Sequence, residues 1–192
     1  MVGKCEYLLG VPDRAANRVA ERVPERVLAN LIVGGDGSTT LGGRSAGLSS
    51  PEDRRRFHTL RAGADCILIG GNTARNEPYS ATPCPLFVLT HGALPEQIAV
   101  NEKAQILPVS LARALEILEG IVLIEAGPNL IGEGLSQNLI DEFHLTITKK
   151  SSGENHINIQ NFLSGYEETS RSEIGDDTFL VYELVTRINR AK

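Results

Sequence analysis

The chain has 192 residues, 41% of them apolar, and a formal net charge of −5. That length fits a single domain able to bury its own core without staples. The acidic balance argues against nucleic acid as a partner, which needs a basic face, and no apolar run approaches the ~20 residues that cross a bilayer.

The cysteines, Cys5, Cys66 and Cys84, are odd in number and far apart, so neither a disulfide framework nor a zinc site is expected. The four histidines, His58, His91, His144 and His156, lack metal-ligand spacing and read as surface or packing residues. No metal is expected. No secretory h-region follows the start, and a cytoplasmic location is expected.

Residues 1–26 read as an arm. Asp13 can cap a short helix whose Ala16, Val19, Ala20 and Val23 share one face, ended by Pro24. Residues 27–33 are short and apolar, a strand closed by Gly34-Gly35-Asp36-Gly37. The Gly/Ser/Thr-rich stretch 38–48 suits a loop folding over a ligand. Ser50-Pro51-Glu52-Asp53 opens a helix to Ala62, with Phe57, Leu60 and Ala64 expected on its inner side and Gly63 after its end. Arg54-Arg55-Arg56 is expected on a solvated face.

Cys66-Ile67-Leu68-Ile69 is a continuous apolar run, as a strand buried on both faces requires. A short helix is expected over 72–77, a strand at 86–89 and another short strand within 98–107. Ser110 starts a helical pattern to Leu118, ended by Gly120. A second buried run, Ile121-Val122-Leu123-Ile124, leads through Glu125-Ala126-Gly127-Pro128 into a helix over 128–137. Strands are expected at 143–148 and 179–188, with a short partner near 166–172 and polar loop at 149–158. Strands alternating with helices, then a β-rich end, predict an α/β fold: a mostly parallel central sheet with antiparallel strands at the C-terminus. Right-handed crossovers put both glycine-ended strands on one edge, where a nucleotide can lie.

Three residue groups on that edge carry chemistry. Asp36 either projects a carboxylate into the crevice or bonds its own turn backbone. Glu125 ends an apolar strand, where burial would raise its pKa and suit it to acid or acceptor work, unless it merely emerges at the strand end. Arg61 sits in the last turn of its helix, favoured there by the dipole or steered to the sheet edge to clamp a phosphate. The Gly127-Pro128 helix start offers unpaired N–H groups to a phosphate.

Four segments occur together in order: 30–37 (NLIVGGDG), 43–53 (GRSAGLSSPED), 60–79 (LRAGADCILIGGNTARNEPY) and 123–144 (LIEAGPNLIGEGLSQNLIDEFH). In these the chain resembles the pyrimidine reductase domain of riboflavin biosynthesis, which has a dihydrofolate-reductase-like fold. The resemblance implies an NADPH-dependent reduction of a phosphoribosylamino-pyrimidine, with hydride passing to C1′ of the sugar. It implies that Ile32 and Gly47 lie beside the cofactor and that Thr73 and Glu77 touch its nicotinamide half. It places the pyrophosphate on Gly127, Pro128, Asn129, Leu130, Ile131 and Gly132, and the adenosine end near Thr90. Ser45 and Arg61 would hold the phosphoribosyl part, Glu125 the pyrimidine or ribose, and Asp36 would face the reacting region. A homodimer is implied.

The chain departs from the family in four places. Ala126 replaces the first of two glycines, which suits the site only if no positive φ is needed there. Gly34-Gly35 precedes Asp36 where serine is usual, 91–109 is short, and Lys149-Lys150-Ser151-Ser152-Gly153 replaces a proline and paired glycines. Two further readings stay open: a non-catalytic nucleotide-binding or assembly protein of this fold, and a reductase of another heterocycle such as a pterin.

Overall fold

A computed structural model describes residues 24–185. Cys5, the helix expected after Asp13 and residues 186–188 of the expected last strand lie outside them. One sheet contains β1 (Arg26–Gly34), β2 (Cys66–Gly70), β3 (Leu86–Leu89), β4 (Ala104–Leu107), β5 (Ile121–Ile124), β6 (Glu142–Thr148), β7 (Tyr166–Ile174) and β8 (Asp177–Leu184). Their order is β4-β3-β2-β5-β1-β6-β8-β7. All pairings among β1 to β6 are parallel. β8 runs antiparallel to both β6 and β7. The α/β sheet with an antiparallel C-terminal end is the one the strand–helix alternation implies.

The connections include α1 (Pro51–Ala62), α2 (Gly71–Asn76), α3 (Glu96–Ala99), α4 (Leu111–Leu115) and α5 (Pro128–Ser136). The unbroken apolar runs have the expected cause. In β2, Ile67 and Ile69 pack on one face with Ala74, Leu86, Val88 and Ile98. Cys66 and Leu68 pack on the other with Val122, Ile124 and Leu135. Burial holds the Cys66 thiol far from ionisation, with its pKa pushed up to about 12. Cys66 and Cys84 are both free thiols.

The short strand expected within 98–107 is β4, an edge strand with Gln105 and Ile106 exposed, while Ile98 is fully buried within α3. Two local expectations need correction. Phe57, Leu60 and Ala64 are only half-buried, and the single buried residue of α1 is Asp53. Ser50 caps that helix by accepting from the Asp53 N–H at 3.0 Å, and Ser49 Oγ donates to Asp53 Oδ2 at 2.5 Å. The arginine run is not uniformly solvated either. Arg56 reaches inward and donates to the carbonyls of Leu145 (3.3 Å) and Leu180 (2.9 Å) and to His144 Nδ1 (2.9 Å). Its guanidinium also covers the Phe179 ring at 5.2 Å. A long apolar stem lets an arginine cross from helix to sheet where a short charged residue could not.

What positions the site is a difference in strand length. β5 stops at Ile124, opposite Ala29 of β1, while β1 continues to Gly34. From Asn30 onward β1 has no neighbour on that side, and a crevice opens at the carboxyl ends of β5 and β2, as open α/β sheets favour. No helix among the described residues is long and apolar enough to cross a membrane.

Candidate active site

A cavity of about 610 Å³ occupies this crevice, within the size range of small-ligand sites. β1 contributes Asn30, Leu31 and Ile32 to its floor, and α1 contributes Arg54, Phe57, His58 and Arg61 to one wall. Positions 54, 57, 58 and 61 follow helical spacing, so one face of α1 turns toward the cavity rather than toward the sheet.

Arg61 and Glu125 meet at its base. Arg61 Nε donates to Glu125 Oε1 at 2.8 Å and Oε2 at 3.1 Å, and its Nη2 donates to Oε2 at 2.6 Å. Tyr79 Oη donates to the same Oε2 at 3.0 Å. The guanidinium lies 4.1 Å from the Phe57 ring centroid and 5.0 Å from that of Tyr79. The side chains of Arg61 and Glu125 are 14% and 3% exposed, so each charge depends on the other. Burial disfavours the charge on Arg61, but the Glu125 hydrogen bonds and charge outweigh it and raise its pKa. Burial, then the Glu125 carboxylate, drives the Tyr79 hydroxyl well above its ordinary value, so it remains a donor.

This pairing changes the expected roles. Arg61 is placed at the sheet edge, but its fork is spent on Glu125 instead of waiting for a phosphate. Glu125 is an ion-paired carboxylate with three donor groups on it, not a lone buried acid.

Ser45 and Glu77, expected on substrate and cofactor respectively, are in contact: the Ser45 N–H donates to Glu77 Oε1 at 2.7 Å. Ser45, Thr73, Glu77 and Ile32 all line the cavity, as do Arg61 and Glu125. Gly127, Pro128 and Asn129 complete its far side. Gly127 is the N-cap of α5, no side chain caps that end, and nothing lies within 4 Å of where a Cβ on Gly127 would stand. Bare amides beside open space fit the pyrophosphate of a dinucleotide. Ala126 does not disturb this. Asn138, Ser152 and Asn155 are the only non-glycine residues with positive φ among those described, so an alanine is accommodated at 126 without strain.

Other expected site residues lie elsewhere. Ile131 is buried in the core and Leu130 packs against it. Gly132 is glycine because a Cβ would strike the Phe162 ring. Gly47 is pressed against the Leu41 carbonyl, where a Cβ would clash, and does not line the cavity. Thr90 follows β3, accepts from the Gly92 N–H at 3.1 Å and is likewise outside the cavity lining. Asp36 adopts the turn arrangement. Its Oδ1 accepts from the Ser38 N–H (3.1 Å) and Oγ (2.7 Å), and its Oδ2 accepts from the Ser152 N–H (2.7 Å). Those bonds, Ser38 foremost, hold its carboxyl well below the usual range. Asp36 does not itself line the cavity.

Sequence reasoning missed several wall residues. Phe57 lies four residues before Arg61, a spacing that could have flagged it as a cation–π partner. Tyr79 stood within a quoted motif without a role. Asn155, His156 and Ile157 come from the stretch read as plain polar loop, and no local pattern marks them. Among the described residues no group of three or more His, Cys, Asp or Glu side chains could hold a metal ion.

Residues 25–164 match the family model described as RibD C-terminal domain. No curated protein matches the sequence. Among solved structures, a pyrimidine reductase-like protein from Corynebacterium diphtheriae is 21% identical, with a TM-score of 0.62, covering 83% of this chain and 91% of that one. A diaminohydroxyphosphoribosylaminopyrimidine deaminase/5-amino-6-(5-phosphoribosylamino)uracil reductase from Thermotoga maritima is 13% identical, with a TM-score of 0.67 over 86% of this chain and 58% of that one. RibD from Acinetobacter baumannii is 17% identical, with a TM-score of 0.66 over 84% and 58%. The likenesses establish a shared fold, and the chain spans little more than half the length of the latter two proteins.

Proposed function

The chain belongs to the RibD C-terminal domain family, and on that premise we propose that it is an NADPH-dependent reductase of a phosphoribosylamino-pyrimidine in riboflavin biosynthesis. The observation that carries this reading is the convergence on one cavity of the uncapped α5 start at Gly127 and the polar base formed by Arg61, Glu125 and Tyr79. The first fits a dinucleotide's diphosphate and the second orients a heterocycle.

The bound dihydronicotinamide would supply the hydride. Thr73 and Glu77 would flank the nicotinamide half, with Ile32 on the floor between the two ligands. Ser45 would hold the substrate's sugar. Glu125, fixed by Arg61 and Tyr79, would present a rigid charged edge to the pyrimidine or ribose without moving a proton. Pre-alignment of two bound rings is the main contribution such a scaffold makes.

A homodimer is part of the proposal. β7 forms the outer edge of the sheet with eight of its nine residues exposed, a strand edge available to a second copy. A monomeric mass by light scattering would rule this out. The activity is tested by following NADPH oxidation with 5-amino-6-(5-phosphoribosylamino)uracil, its dephosphorylated analogue and a dihydropterin precursor. Turnover of the first is expected. Turnover of the pterin alone would reassign the substrate, and NADPH binding with no turnover at all would mark a binding protein.

A further inference from the structure

Asp36 and the loop 152–157 form one device at the carboxyl end of β1. Gly37 has φ +84 and its missing Cβ makes room for the Ile157 carbonyl. The Ile157 N–H donates to the Gly37 carbonyl at 2.9 Å. Thr39 donates its N–H to the Glu154 carbonyl and its Oγ to the Asn155 carbonyl, each at 3.0 Å. Asn155 itself takes a positive φ of 57. This stitching sets His156 into the cavity wall, with its Nε2 3.4 Å from Asp36 Oδ2 and its side chain 55% exposed.

We propose that His156 is the proton donor of the reduction and that Asp36 is its positioning residue. The inference rests on the reductase reading above. Opening the sugar breaks the C1′–O4′ bond, and its electron pair leaves with the ring oxygen, which takes one proton. The nitrogen lone pair forms C1′=N, and hydride addition at C1′ returns that bond to single. One hydride and one proton are consumed, and His156 supplies the proton and is recharged from water.

Three observations support the assignment. A carboxylate beside one ring nitrogen orients an imidazole and leaves its other nitrogen, Nδ1, to carry the transferred proton. Asp36 stays ionised, because the Ser38 and Ser152 hydrogen bonds hold its carboxyl far below the usual range. His156 stands between cavity and solvent, as a donor that must be recharged each turnover requires.

Other charged groups stand around the pair. On its own loop, Glu154 is spent on Thr40 Oγ1 and the Gly42 and Gly43 amides. Lys150 Nζ is spent on the Gly47 and Ser49 carbonyls. Across the cavity α1 presents Arg54 and His58, and His58 is engaged edge-on with Phe57.

The test compares H156Q, H156A, D36N and H58Q with the wild type over a pH series. In H156Q kcat should fall roughly a hundredfold, the alkaline loss of activity should vanish, and the Kd for NADPH should stay unchanged. Added imidazole should restore part of the activity of H156A, which a merely structural histidine would not allow. D36N, which removes only the group that orients the ring, should lower kcat with little change in KM. Undiminished turnover in H156Q, or a limb abolished by H58Q but kept by H156Q, overturns this inference and leaves the reductase standing. A wild type that binds NADPH but turns over no substrate overturns the reductase reading, and this inference with it.

Discussion

Arg61 and Glu125, sixty-four positions apart in the chain, close a three-bond fork at 2.6 to 3.1 Å beneath the cavity. The fork joins the last turn of α1 to the end of β5, so it holds the cavity's wall to its floor. Among the described residues each is the other's ion-pair partner, and removal of one leaves the other buried and unmatched. Arg61→Ala should therefore lose about 3–5 kcal/mol of stability, read as a shift in the urea midpoint at constant slope. The pair R61M/E125L, which removes both charges, should be more stable than either single variant. If Arg61→Ala cost under about 1 kcal/mol, the fork would be behaving like a solvated surface pair.

Tyr79 separates the ring from the hydroxyl as sources of that stability. Tyr79→Phe keeps the ring 5.0 Å from the guanidinium and deletes only the donor to Glu125 Oε2. The lost hydrogen bond to a buried carboxylate should cost about 1.5–3 kcal/mol. Equilibrium denaturation measures it, and in an R61M/E125L background the same change should be close to neutral, since no carboxylate remains.

Which of these features could be read from residues alone follows from how local their causes are. The strands β2 and β5 were legible because burial on both faces leaves a continuous aliphatic run. The starts of α1 and α5 were legible because caps and proline act within one turn. Arg61 and Glu125 were each marked as unusual, but their pairing joins residues far apart in sequence and leaves no local signature. Each was therefore given a separate job that the other now occupies. Arg56 failed for the same reason: a run of three arginines looks uniform until β6 and β8 offer carbonyls to one of them. His156 sits in a polar stretch whose ordering depends on Asp36 and Gly37, over a hundred positions earlier. Gly47 and Gly132 were read through the resemblance as ligand contacts, whereas Leu41 and Phe162 crowd them.

Gly127 offers the cleanest test of where the cofactor lies. Its φ of −69 and ψ of 169 are open to any residue, and a Cβ there meets nothing within 4 Å. Gly127→Val should fold, with a loss of about 1 kcal/mol because valine is a poorer N-cap than glycine. It should still fill the space in front of the α5 amides and weaken NADPH at least tenfold, about 1.4 kcal/mol. A fluorescence titration measures the affinity. Undiminished NADPH binding would move the diphosphate away from this helix start.

The acid limb of stability should report Asp36. Its carboxyl titrates well below the ordinary carboxylate range in the folded chain, because Ser38 and Ser152 donate to the ionised form. A group depressed in this way binds more protons when unfolded, so its contribution is complete above its unfolded pKa of about 3.9. That contribution is lost as the pH falls below that value toward the folded pKa. Between about pH 7 and pH 5 Asp36 should contribute a constant amount, and below about pH 4 stability should fall steeply. Asp36→Asn should be less stable at neutral pH and should converge with the wild type on acidification, measured as denaturant midpoints across the series. The variant should still lose stability as the pH falls. Glu142 is also held below its ordinary value, chiefly by His144 with Arg26 adding to it, so it keeps its own acid limb in the variant. Parallel curves at every pH would mean that the Ser38 and Ser152 bonds do not favour the ionised form of Asp36.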